Sequence, residues 1–292
     1  MTALLIICFA ALLWLLLSPR VTPWLYRSCL FKPGKEIGNK NELLALSAQY
    51  NGQEFYFPSH NGHRLHAWTF GDVRAPGPLV LYSMGRDGDI ARRAHVLSLL
   101  LDAGLPIFIY EYSGFGSSEG TPSVPQVCAD AEAAIEYVTT TLKKPLDSVV
   151  IYGESLGSAV VASLLRQYQP AGVVFKSGFA SLAQIAKELF FPVRMYPKAI
   201  FGKSDLDTCA ALAQSHCPVL IIHGVGDRLA RWHHAEQLYA AAREPKKLLP
   251  LPDSRHAFTP PADEELLIRS VVEWVHGCVQ SPQHGELKAA AG

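Results

Sequence analysis

The sequence predicts an α/β fold built on a mostly parallel sheet with helices on both faces, and three observations carry that prediction. Unalternated apolar runs recur at residues 78–82, 106–110, 148–152, 172–175, 218–222 and 247–251. Runs of this length without polar alternation suit strands buried on both faces, as in parallel sheets. Helical patterns fall between the runs, and Gly153-Glu154-Ser155-Leu156-Gly157 stands where an apolar run passes into a helix-compatible stretch.

The elements follow in chain order. Every residue from Ala3 to Leu17 is apolar, and Val21, Trp24 and Leu25 extend the run past Pro19. The run begins without a basic residue and ends without the small-residue pattern of a cleavage site, so an uncleaved membrane anchor helix is expected. Arg20, Arg27, Lys32 and Lys35 follow it and would hold the folded domain on the cytoplasmic side of a single-pass anchor. Residues 54–57 and 64–70 then read as two strands joined around Asn61-Gly62, a hairpin turn signal. Val127, Ala131, Ala134, Ile135 and Val138 recur at helical spacing and predict a crossover helix. Thr259-Pro260, with Asp263, Glu264 and Glu265 in the first turn, starts a last helix striped by Leu267, Val271, Trp274 and Val275.

The expected organisation is an anchor and juxtamembrane segment at 1–30, a catalytic domain at 31–280 and a flexible polar tail at 281–292. An insertion at about 178–216, with Leu189, Phe190, Phe191, Pro192, Met195 and Tyr196, is expected to form a small cap. The 292 residues are 49% hydrophobic and 18% charged, enough to bury a large core. A formal net charge of zero gives no basic surplus for a phosphate backbone, which argues against nucleic acid as a partner. Cys8, Cys29, Cys128, Cys209, Cys217 and Cys278 lack zinc-site pairing; Cys209 and Cys217 are close enough in sequence to bridge, but burial as free thiols fits them better.

A serine hydroxyl is a poor nucleophile until a histidine base accepts its proton and a sharp turn presents its oxygen. Gly153 and Gly157 flank Ser155 at the two places where a Cβ would obstruct such a turn. The spacing recurs at Gly116-Ser117-Ser118-Glu119-Gly120, but Thr121-Pro122-Ser123-Val124-Pro125 follows, so no helix begins at once and Ser118 is expected in a glycine-rich loop. Asp227, after the run 219–222, and His256, after the run 247–251, arrive in the order acid then base, each in a loop at the carboxyl end of a strand. The expected catalytic residues are therefore Ser155, Asp227 and His256. The backbone N–H groups of Leu156 and of Arg86, in the loop Ser83-Met84-Gly85-Arg86-Asp87-Gly88, are expected to hold an oxyanion. His60 and His63 flank a turn, and His223 suits packing better than the role of base. His233-His234 are adjacent and cannot form the i, i+4 pair of a zinc helix, so neither a metal nor a cofactor is expected.

These motifs, with His223-Gly224 and the loop from Tyr112 to Gly120, resemble the α/β-hydrolase superfamily. Within it, the chain resembles membrane-associated serine hydrolases similar to acyl-protein depalmitoylases and to "serine aminopeptidase"-domain proteins, over residues from about 55 to 275. The resemblance implies cleavage of a carboxylic ester or thioester in a small-molecule or acylated-protein substrate, with a peptidase as the alternative. It also implies departures. Met84-Gly85-Arg86 stands where relatives have His-Gly-Asn, and Ser113 where they carry arginine, which leaves open a non-catalytic binding protein on the same fold.

Overall fold

The computed structural model describes residues 2–18, 20–34, 38–197, 206–214 and 216–280, so the expected tail, Lys35 and part of the 178–216 insertion lie outside the described residues. One sheet of eight strands organises the chain: β1 (Gln53–Pro58), β2 (Arg64–Phe70), β3 (Leu79–Ser83), β4 (Ile107–Tyr110), β5 (Val149–Glu154), β6 (Gly172–Lys176), β7 (Val219–Gly224) and β8 (Lys246–Leu251). Their spatial order is β8-β7-β6-β5-β3-β4-β2-β1. The β1–β2 and β2–β4 pairs are antiparallel and the other five pairs parallel. The central strands β3 to β7 are buried along almost their whole length, which is why their sequences do not alternate. The expected hairpin is present, with Gly62 at φ 85°, a conformation that favours glycine.

The helices are α1 (Thr2–Leu16), α2 (Pro23–Leu30), α3 (Lys40–Gln49), α4 (Ala94–Asp102), α5 (Val124–Glu136), α6 (Leu156–Leu164), α7 (Leu182–Leu189), α8 (Thr208–Leu212), α9 (Trp232–Ala241) and α10 (Pro261–Gln280). In one layer α3, α4 and α10 touch in series; in the other, α5, α6, α8 and α9 do. The expected crossover and terminal helices are α5 and α10. Ser123 caps α5 by accepting from the Gln126 amide, and Ser181 caps α7 by accepting from the Gln184 amide.

Helix α1 is apolar on every side and mostly exposed, but its 15 residues extend only about 22 Å against a bilayer core of about 30 Å. Among the described residues no helix is long and apolar enough to cross a membrane. No disulfide joins the cysteines among the described residues, and burial pushes the Cys217 thiol well above its ordinary pKa.

Buried Asp130 on α5 joins three segments. It accepts from the Ser59 hydroxyl (2.7 Å), the Ser113 amide (2.7 Å) and hydroxyl (3.0 Å), and the Gln126 side-chain amide (2.8 Å). Ser113, the departure from arginine, thus spends both of its donors on one buried carboxylate and fixes the loop after β4. Replacing Asp130 by alanine would strand these donors; the expected outcome is a loss of roughly 2–3 kcal/mol, about 3–5 °C in the thermal midpoint by calorimetry.

Candidate functional site

The turn between β5 and α6 forces Ser155 into a positive-φ conformation, φ 52° and ψ −111°. That conformation is strained for a residue with a Cβ and persists only where its surroundings over-determine it. Both flanking glycines are required. A Cβ on Gly157 would lie 2.1 Å from the Ser83 carbonyl oxygen, and one on Gly153 would lie 2.7 Å from the Ser158 Cα. The Ser155 amide donates to the Lys176 carbonyl at 2.8 Å, locking the turn to the end of β6.

Asp227 and His256 reach this turn from the ends of β7 and β8. The Ser155 hydroxyl lies 3.0 Å from His256 Nε2, and His256 Nδ1 lies 2.7 Å from Asp227 Oδ2. With Nδ1–H donating to the carboxylate, Nε2 keeps a lone pair and accepts from the serine hydroxyl. The second carboxylate oxygen of Asp227 accepts from the Leu229 (2.8 Å) and Ala230 (3.0 Å) amides, so it is oriented from both sides. Asp227 is buried while the imidazole is about one fifth exposed, which leaves the base open to the cleft. The three residues expected from chain order therefore form one hydrogen-bonded array.

The loop after β3 runs beside the serine: a Cβ on Gly85 would stand 3.6 Å from that of Ser155. Two ties to this loop were not visible in the sequence. The Tyr112 hydroxyl donates to the Met84 carbonyl (3.2 Å) and shares a hydrogen bond with Ser83 (2.6 Å). Arg93, 4% exposed, donates from Nη1 to the Asp87 carbonyl (2.6 Å) and from Nε to Glu154 (3.1 Å), the residue before the serine. Burial alone would raise the Glu154 pKa, but the Arg93 charge, with Lys176 and the Tyr82 hydroxyl, outweighs it and holds the carboxyl at about 2. Arg93 thus couples the turn bearing Ser155 to the loop of Arg86. The Leu156 amide opens α6, where the first N–H groups have no partner within the helix. The Arg86 carbonyl and side chain are both engaged elsewhere, by Lys32 and Cys29.

Ser118 has a different employment: it is buried, donates to the Glu111 carbonyl (2.8 Å) and accepts from the His66 amide (2.9 Å), which fixes the loop expected for it. His223 is fully buried against the Ala230 carbonyl at 2.6 Å, a packing position. His233 and His234 depart from expectation, because both converge on Glu188 of α7, at 3.0 Å and 3.3 Å. Metal-type ligand atoms of these three residues lie within 4.8 Å of one another. The Ala180 amide, however, donates into His234 Nδ1, so the proton sits on Nε2 and no lone pair faces Glu188. Burial holds His234 neutral, its pKa lowered to about 4.

Comparison with known proteins places this geometry among relatives. The family model described as serine aminopeptidase, S33 (Hydrolase_4), matches residues 74–203, a span that includes Ser155 and ends before Asp227 and His256. An uncharacterized Mycobacterium tuberculosis protein, MT2364, is 33% identical over 209 residues, covering 70% of this chain and 72% of its own. The α/β hydrolase domain-containing protein WAV2 of Arabidopsis thaliana is 28% identical over 212 residues, covering 66% and 68%. Among solved structures, the Pyrococcus furiosus esterase Pf2001 superposes with a TM-score of 0.65 at 16% identity, covering 84% of this chain and 98% of that one.

Replacing Arg93 by methionine removes the guanidinium from a Glu154 carboxylate that is only about one quarter exposed, leaving Lys176 and the Tyr82 hydroxyl beside it. The expected outcome at neutral pH is a stability loss of roughly 3 kcal/mol in urea unfolding. Because the folded-state pKa of Glu154 lies below its ordinary 4.5, the pair stabilises the fold above that value, and the contribution disappears as pH falls towards about 2. The gap between wild type and variant should therefore narrow over that range; a gap independent of pH would contradict the pairing.

Proposed function

Since the chain belongs to the α/β-hydrolase superfamily, we propose that it is a serine hydrolase cleaving a carboxylic ester or thioester of a lipophilic acyl group. The observation that carries this reading is the array from Ser155 through His256 to Asp227, on a strained turn that presents the hydroxyl to the imidazole. Ser155 Oγ attacks the acyl carbon while His256 Nε2 takes its proton, and buried Asp227 stabilises the imidazolium. The carbonyl oxygen becomes an oxyanion held by the Leu156 and Arg86 amides. Collapse expels the alcohol or thiol, which takes the proton from His256. Water, deprotonated by the same imidazole, then attacks the acyl-serine; the acid leaves, and Ser155 Oγ recovers its proton.

The lipophilic part of the proposal rests on the surface beside the cap insertion. Phe191 and Met195 are 74% and 60% exposed on a 3₁₀ turn, and the neighbouring Tyr196 stacks on Trp14 of α1 at 4.9 Å. The Tyr196 hydroxyl also donates to the Trp14 carbonyl at 3.0 Å. The apolar helix and the exposed cap side chains are therefore neighbours. In this reading α1 attaches the protein to a membrane and the cap meets acyl chains there, with the domain on the cytoplasmic side. The match to the serine aminopeptidase family model supports peptide hydrolysis as the second reading.

Probe labelling, substrate turnover and vesicle flotation test these proposals. A fluorophosphonate probe should label the wild type and Ser118→Ala but not Ser155→Ala, and Asp227→Asn should lower ester turnover about 10²–10⁴-fold by leaving the imidazole misoriented. Labelling that survives loss of Ser155 contradicts the assignment, and faster turnover of aminoacyl-peptide than of acyl-ester substrates favours the peptidase. For the membrane, the full chain should float with phospholipid vesicles, and Leu5→Asp with Phe9→Asp should release it; flotation unchanged by both charges counts against α1 as the attachment.

A further inference from the structure

The segment that follows the apolar helix is bonded to the loop beside Ser155 and to the loop after β4. Residue 86 is gripped twice: its guanidinium Nη1 donates to the Cys29 carbonyl at 2.6 Å, and its own carbonyl accepts from the Lys32 amide at 2.8 Å. Lys32 and Pro33 then pair in parallel with Asp87 and Gly88, extending the hold along the loop. Two residues further, the Gly34 carbonyl accepts from the Gly116 amide at 3.0 Å. Phe31, 3% exposed, packs edge-on against buried Phe115 with ring centroids 6.4 Å apart. The Gly38 amide reaches the Asp89 carboxylate at 3.1 Å.

We infer that residues 29–34 are a positioning element for the oxyanion loop, so that the N-terminal segment contributes to turnover and not only to location. The inference rests on the proposed role of the Arg86 amide. With its carbonyl and side chain both held from the N-terminal side, the amide is the backbone group of residue 86 left to face the turn at Ser155. Each residue has two soft backbone rotations, and holding the Arg86 carbonyl and side chain restrains ψ and the position of the nitrogen, which narrows the directions its N–H can take. The departure from His-Gly-Asn to Met84-Gly85-Arg86 also acquires a reason: a long guanidinium spans to the Cys29 carbonyl, where an asparagine would be too short. A loop held in register before substrate arrives needs no reorganisation as the oxyanion forms.

The test uses the full chain in detergent and steady-state hydrolysis of a short p-nitrophenyl ester, which does not depend on membrane delivery. K32P deletes the amide that holds the Arg86 carbonyl, K32A keeps it, R86A deletes the guanidinium, and R86K restores a donor. The expected result is that K32P and R86A each lower kcat about 10-fold, a loosened donor costing less than the 10²–10³-fold of a deleted one, with KM nearly constant. K32A should keep at least half of the wild-type kcat, and R86K should recover part of what R86A loses. Wild-type kcat in both K32P and R86A overturns the inference while leaving Ser155 as nucleophile, provided S155A is inactive. A rise in KM at constant kcat, or loss of folding in both variants, also overturns it in favour of a binding or purely structural role. If the wild type neither turns over ester nor reacts with a fluorophosphonate, the functional reading fails and takes the inference with it.

Discussion

The positive-φ turn at Ser155 is the constraint to which the rest of the structure conforms. A serine held at φ 52° needs a neighbourhood that forbids relaxation, and the neighbours meet that need by coming very close. The Ser83 carbonyl at the end of β3 occupies the space that any side chain at 157 would require. The register of β3 on β5, with Ser83 opposite Gly153, is thus part of the turn, and so is the pairing of β5 with β6, whose Lys176 carbonyl takes the Ser155 amide. Strand order at the centre of the sheet and the presentation of one hydroxyl to His256 are two sides of the same packing.

Around that turn, the groups are held by different kinds of force. Asp227 and His256 are joined by a short, charge-assisted hydrogen bond whose acceptor is oriented by backbone amides, a stiff arrangement built from the ends of two adjacent strands. The loop at 84–88 has as regular structure only the two-residue pairing of Asp87 and Gly88 with Lys32 and Pro33. It is held by Tyr112 from β4's side, by Arg93 from the start of α4, and by the N-terminal segment from outside. Arg93 matters twice, since its charge also keeps the partly buried Glu154 carboxylate ionised beside the serine. Stability at this site and its geometry are therefore coupled through one guanidinium.

Much of this was legible in the sequence. Apolar runs gave the central strands because strands buried on both faces have no polar positions to interrupt them. The Asn61-Gly62 signal gave the hairpin, and the order Ser155, Asp227, His256 gave the array, because strand ends in a parallel sheet collect loops on one edge. What could not be read depended on pairing across long separations. The strand at 148–152 continues to Glu154 by pairing with β6 as far as Lys176, and Arg93, 61 positions away, meets the carboxylate there. Helix α3 was missed because only Leu43 and Leu46 are buried on it, too few for a periodic stripe. Arg27 and Lys32 were read as charges near a membrane, whereas the segment acts through backbone groups, at Cys29, Lys32 and Gly34, that leave no mark on residue type. The convergence of His233 and His234 on Glu188 likewise needed α7 and α9 placed side by side.

The central claim is that Ser155 carries the acyl group between two steps. The most direct measurement is to quench turnover of a slowly deacylating ester in acid and locate the adduct by peptide mass spectrometry. The account predicts one acyl group on the peptide bearing Ser155, absent from Ser155→Ala and accumulating in His256→Gln supplied with an activated ester. An acyl group found on Ser118 or on a cysteine, or sustained turnover in Ser155→Ala, would contradict it.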